Sequence, residues 1–179
     1  MNKTNNARSI QSKDAIRKAY LNLVISRSDI STISVSDICK KAGVNRTTFY
    51  SHYEGINDLV ASIYEWMLEE FLHVFEEEAK EAKHSYDFNK LFRNIKENQI
   101  FYKIYFKLGF DFKELFLKNG AADVAGEFYK DTSHVDYHIE FFGAGISAII
   151  QKWLNSGCKE EPEVIGRILQ EEYQKRNTV

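Results

Sequence analysis

Residues 35–59 read VSDICKKAGVNRTTFYSHYEGINDL, and the middle of this run sets the fold of its neighbourhood. Val35 to Ala42 has the polarity pattern of a short helix, with Ser34 as a candidate N-cap and Asp37 three residues on. This approximates a capping box, with Asp in place of the usual Glu or Gln. Gly43 can take the left-handed conformation that closes a helix. Asn45 can cap a second short helix, Arg46 to His52. Two short helices joined through Ala-Gly-Val-Asn have the dimensions of a helix-turn-helix, in which the first helix braces the second and the second enters the DNA major groove. Ile38, Ala42, Val44 and Phe49 suit the inner side, whereas Arg46, Thr47, Tyr50 and Ser51 lie towards the other.

The pattern on either side extends this helical reading. Ile16, Ala19, Tyr20, Leu23 and Val24 recur at helical spacing, with Ser12 as a plausible cap, so a helix is expected over 12–27. After Gly55 a long helix is expected from about Asn57 to Lys83. Leu59, Val60, Ile63, Met67, Phe71, Val74 and Phe75 point inward, and Glu76, Glu77, Glu78 and Glu81 form a solvated face. Aromatics crowd the stretch from Tyr86 to Tyr129, with breaks expected at Asn98-Gln99, Gly109 and Asn119-Gly120. A helix over Ser133–Ser156 and a last one opening at Pro162, a first-turn proline, complete the chain. One proline and nine glycines in 179 residues leave long helices uninterrupted. The expected fold is all-α with about nine helices: a three-helix helix-turn-helix domain over 1–55, then a helical body over 56–179.

Composition narrows the function. Residues 1–55 hold nine Lys or Arg against four Asp or Glu, a charge of +5 that leaves −7 for the rest of a chain of net −2. A basic head on an acidic body suggests that only the head meets a polyanion. Two cysteines without CxxC spacing fit a reducing compartment. With no signal-peptide pattern and no apolar run of membrane-spanning length, a soluble cytoplasmic protein is expected. There is no glycine-rich phosphate loop and no GxSxG elbow, and no carboxylate pair stands apart as catalytic. A cofactor-free protein that is not an enzyme follows. His134 and His138, four apart with Asp136 and Glu140 nearby, have metal-ligand spacing, but Val135 stands where a metalloprotease motif needs glutamate. Packing or pocket lining is the reading for that pair.

The run from Val35 to Leu59 resembles the DNA-binding signature of the TetR family of bacterial transcriptional regulators. Val-x-Asp-Ile, Ala-Gly-Val, Thr-Phe-Tyr-x-His-Tyr and Leu59 all fall in register. The resemblance implies that Arg46, Thr47 and Tyr50 face base edges, with arginine able to pair with guanine. Thr48, Tyr50 and His52, with Ser34, match positions that touch phosphates. Asn45 and Ser51 complete the DNA-facing set. Two positions depart from the pattern: Ile56 replaces a common lysine where the long helix begins, and Cys39 replaces a core alanine.

The resemblance also implies a homodimer through the last two long helices. On them the small residues Gly143, Ala144, Ser147 and Ala148 form a low-relief strip, with Trp153, Ile165, Ile168 and Leu169 as bulky anchors. It implies an effector cavity in the body, with Phe101, Tyr105, His134, Tyr137, His138 and Phe141 as candidate lining. The expected partners are double-stranded operator DNA, a second copy of the chain and a small-molecule or protein effector, with no membrane. The expected activity is repression relieved by that effector, which shifts the long helix after Asn57. Activation, or regulation with a co-activator, is the alternative on the same fold. A small helical ligand-binding protein or enzyme is the rival from another class.

Overall fold

A computed structural model describes residues 3–81, 88–116 and 133–174; Tyr86, the Asn119-Gly120 break, Phe128 and Tyr129 lie outside them, as do the side chains of Val74, Phe75, the Glu76–Glu81 face and Tyr173. Among the described residues there are nine α-helices, one 3₁₀ turn and no strand. Contacts divide the chain into two compact units, Met1–Met67 and Leu68–Val179. The division falls inside the long helix, later than the 55/56 boundary expected from the Glu54-Gly55 break.

In the first unit, α1 (Lys3–Ser26) buries Ile16, Ala19, Tyr20, Leu23 and Val24, the stripe read from the sequence. It starts well before Ser12, which is therefore not a cap. Its hydroxyl instead donates to the Ser9 carbonyl at 3.0 Å. The turns before Ser12 carry little apolar periodicity, so the core pattern gave no sign of them. Asp29 caps the 3₁₀ turn Ile30–Thr32 by accepting from the Ser31 N–H at 2.9 Å. α2 (Val35–Ala42) begins in a full capping box: Ser34 Oγ accepts from the Asp37 N–H, and the Asp37 carboxylate accepts from the Ser34 N–H. Gly43, at φ 69°, ends it in the left-handed region, where a side chain would be strained.

α3 spans Arg46–Tyr50, one turn of helix rather than the two expected, with Ser51 and His52 in the turn that follows. α4 (Ile56–Glu81) buries Leu59, Ile63 and Met67 in this unit. The Asp58 carboxylate in its first turn accepts from the Glu54 N–H at 3.0 Å, satisfying a donor ahead of the helix. Arg17 of α1 lies 4.4 Å from the Trp66 ring centroid and also pairs with Asp14, so α1 and α4 share a cation–π contact.

The second unit is built around aromatic side chains. α5 (Phe88–Glu97) and α6 (Gln99–Lys107) meet at Asn98, the expected break. The Tyr102 hydroxyl donates to Asn94 Oδ1 at 2.5 Å across that junction. α7 (Phe112–Phe116) brings Phe112 edge-on to Phe71 and into the group formed by Tyr102, Tyr105 and Phe106. α8 (Val135–Asn155) sets Trp153 edge-on to Phe92, its ring nitrogen donating to the Glu160 carbonyl at 3.1 Å. α9 (Pro162–Gln174) opens at the expected proline and packs on α5. Gly166 makes that approach possible: a Cβ there would sit 2.3 Å from Asn89 Oδ1. Arg93–Glu163 and Lys96–Glu161 ion pairs flank the same seam.

Candidate nucleic-acid interface

The outward face of α3 is held from beneath by one side chain. Phe49 is fully buried, with Tyr53 tilted against it at 5.7 Å and Tyr50 edge-on at 5.4 Å. With that ring fixed inward, the helical period turns Arg46, Thr47 and Tyr50 to solvent, and all three are exposed. Tyr50 is 56% exposed, a large aromatic left on the surface beside an arginine. Asn45 Oδ1 accepts from the Thr48 N–H at 2.7 Å, so this residue is spent on the cap its sequence position suggested. The Ser51 hydroxyl donates to the Thr48 carbonyl at 2.7 Å and closes the helix end. Thr48 is half-buried; Ser34 is exposed but already engaged in its capping box.

His52 is placed differently from a free phosphate ligand. It is half-buried, and its Nε2 lies 2.7 Å from Ser12 Oγ on α1. No feature of local pattern linked these residues, which are 40 apart in sequence.

The charges of this unit sort into two groups. Asp14 takes Arg17 and Lys18, and Asp37 takes Arg27, so these cations are partly neutralised. Hydrogen bonds from the Ser34 hydroxyl and N–H, with Arg27 beside them, hold the Asp37 carboxyl below its usual range. Arg8, Lys13, Lys40, Lys41 and Arg46 are exposed and form no ion pair among the described residues. A surface of uncompensated cations around an exposed helix attracts phosphate. Cys39 is buried, and burial pushes its thiol up despite the Arg46 charge, which keeps it protonated and unreactive.

The candidate effector residues of the second unit occupy different settings. Tyr105 is fully buried and its hydroxyl donates to the Asp111 carbonyl at 3.0 Å, a core role. Phe101 lies on a shallow surface cleft of about 530 Å³ with Lys96, Asn98 and Gln99. Tyr137 and Phe141 point outward, 72% and 65% exposed. His134 sits ahead of α8 at φ 62°, so it does not share a helical face with His138. Among the described residues, no three His, Cys, Asp or Glu side chains come together as a metal site.

The expected dimer strip also divides. Gly143 is buried against its own chain: a Cβ there would meet Lys113 Cγ at 2.3 Å, and the Lys113 ammonium reaches Glu140 at 2.6 Å. Trp153, Ile165 and Leu169 are core residues of the same chain. Ala144 and Ala148 are exposed, Ser147 is half-exposed, and Ile168 is 44% exposed. Tyr137, Phe141, Ala144 and Ala148 follow steps of four, three and four, which aligns them along one face of α8. Two of the four aromatics expected to line the cavity, Tyr137 and Phe141, thus share the outward stripe of the alanines. Their 3–4 spacing was the available signal.

Residues 83–172, half of the chain, match the transcriptional regulator C-terminal region of the TetR type. The chain belongs to the TetR family of transcriptional regulators. The "HTH-type dhaKLM operon transcriptional activator DhaS" of Lactococcus lactis subsp. lactis (strain IL1403) is 28% identical over 134 residues, 75% of this chain and 70% of that protein. The "Uncharacterized HTH-type transcriptional regulator YxbF" of Bacillus subtilis (strain 168) is 32% identical over 56 residues, which are 31% of this chain and 15% of that relative's length. The solved structure "Dihydroxyacetone kinase operon activator DhaS" covers 92% of the chain at TM-score 0.54 and 23% identity, a likeness of fold. No helix among the described residues is long and apolar enough to cross a membrane.

Proposed function

We propose that this TetR-family chain works as a homodimer that reads an approximately palindromic operator, each copy placing α3 in a major groove. The observation that carries the reading is the outward turn of Arg46, Thr47 and Tyr50 over the buried Phe49 anchor. Arg46 reads a base edge, Thr47 and Tyr50 support it, and Thr48 and Ser34 border the phosphates. The two heads meet half-sites about 34–36 Å apart, or a multiple of this. The copies join through the outward stripe of α8 and through Ile168 of α9, rather than through Trp153, Ile165 and Leu169. An effector acts by binding the DNA-competent and DNA-incompetent states with different affinity.

Binding at a promoter makes repression the direct outcome. Activation is the second reading, and it is favoured by the likeness, over 75% of this chain, to a relative named as an operon activator. Fluorescence anisotropy with fragments of the host genome tests the DNA reading. Salt-sensitive, sequence-selective binding is expected, and Arg46→Ala should lose roughly 1–3 kcal/mol at one base position. Binding that ignores sequence would sink it. Reporter output with and without the gene then separates repression from activation.

A further inference from the structure

Residues 7–11 of α1 are exposed, yet they are helical and the adjacent Ser12 ties them to the reading head. Ser12 donates its hydroxyl proton to the Ser9 carbonyl, and its oxygen also lies 2.7 Å from His52 Nε2, within hydrogen-bond distance. This bond holds α1 against the turn directly after α3. Arg8 lies one turn before Ser12 on the same face, about 6 Å along the axis. Lys13 flanks that face. Both cations are exposed and neither forms an ion pair among the described residues, whereas Arg17 and Lys18, one turn further on, are held by Asp14. The free positive charge of α1 is therefore concentrated at the end that continues past His52.

We infer that the N-terminal turns of α1 are a second DNA-contacting element, in which Arg8 and Lys13 bind backbone phosphates flanking the bases read by α3, and Ser12 is the positioning residue that fixes this element through His52. The inference rests on the reading under Proposed function. Its occupant is double-stranded DNA because the surface is cationic and polar, and Ser12 within it meets His52 directly after α3. The contact is with phosphate, so it adds affinity and register but no base preference.

The test compares the full-length protein with the double variant Arg8→Gln/Lys13→Gln on one selected operator duplex across a salt series. Each lost phosphate contact lowers the slope of log K against log salt by about 0.9. The variant should show a slope smaller by one to two, an unchanged ranking of operator mutants and an unchanged melting temperature. Trimming the flanking base pairs should abolish the difference between the two proteins. Ser12→Ala should lower the slope in the same direction, and Ser12→Thr should restore it. Selective binding by the wild type with equal slopes in the double variant would overturn this inference alone. Absence of selective binding by the wild type would overturn it together with the operator reading.

Discussion

Phe141→Ala separates the two roles that an apolar residue on α8 can have. Its ring is 65% exposed in the single chain. A phenylalanine buries about 150–250 Å² when covered, so roughly 130 Å² of this ring remains for a partner to cover. At about 25 cal/mol per Å² that area is worth roughly 3 kcal/mol. A twofold interface contains the residue twice, which sets a ceiling near 6 kcal/mol per dimer. Ordering and imperfect packing reduce the realised value, so a rise in dimer Kd of about 100-fold or more is the expected result. Sedimentation at several concentrations measures this directly. The fold of the monomer should persist, because the ring contributes little to its own chain's core. Trp153→Ala, at 2% exposure, should instead cost about 3–5 kcal/mol of folding stability. A wild-type dimer Kd for both Phe141→Ala and Ala148→Glu would refute the assignment of this face.

Four further outcomes follow from local geometry. In the Phe141→Ala background, Gly145→Ala should raise folding stability by about 0.5–1 kcal/mol, since no atom lies within 4 Å of its added methyl. Gly143→Ala should gain no such increment and lose up to about 2 kcal/mol in denaturant titrations, because its methyl collides with Lys113. Phe49→Ala should destabilise the first unit by about 3–5 kcal/mol by urea unfolding and remove operator binding with it. The Asp37 carboxyl is held below its ordinary value of 3.8, chiefly by the Ser34 hydroxyl. Its stabilising effect is therefore complete above that value and lost as pH falls through the lowered one, so Asp37→Asn should flatten the acid limb of a melting-temperature profile.

The features legible in the sequence were those with a short-range cause. The Ser34–Asp37 box, Gly43 and Asn45 each act within a few residues, and each is found where its chemistry placed it. The stripe on α1 was legible because burial on one side imposes a helical period. Long-range partners were not legible. Nothing near Ser12 announces His52, and nothing near Gly143 announces Lys113. α8 carries apolar residues on two sides, and periodicity does not say which side its own chain covers. The pattern alone thus puts Trp153 outward although it packs on Phe92, and Phe141 inward although it faces solvent. The resemblance named the family from 25 residues, while the C-terminal match covers a different part of the chain.

The Ser12–His52 bond has a kinetic consequence. It closes a loop of 40 residues that contains both α2 and α3, so the end of α3 cannot fray without opening a contact made by α1. Hydrogen exchange should therefore find the amides of His52 and Tyr53, which donate to the Phe49 carbonyl, opening together with α1 and not as an independent end. A five-residue helix, too short to persist alone, thereby inherits the lifetime of a much longer one.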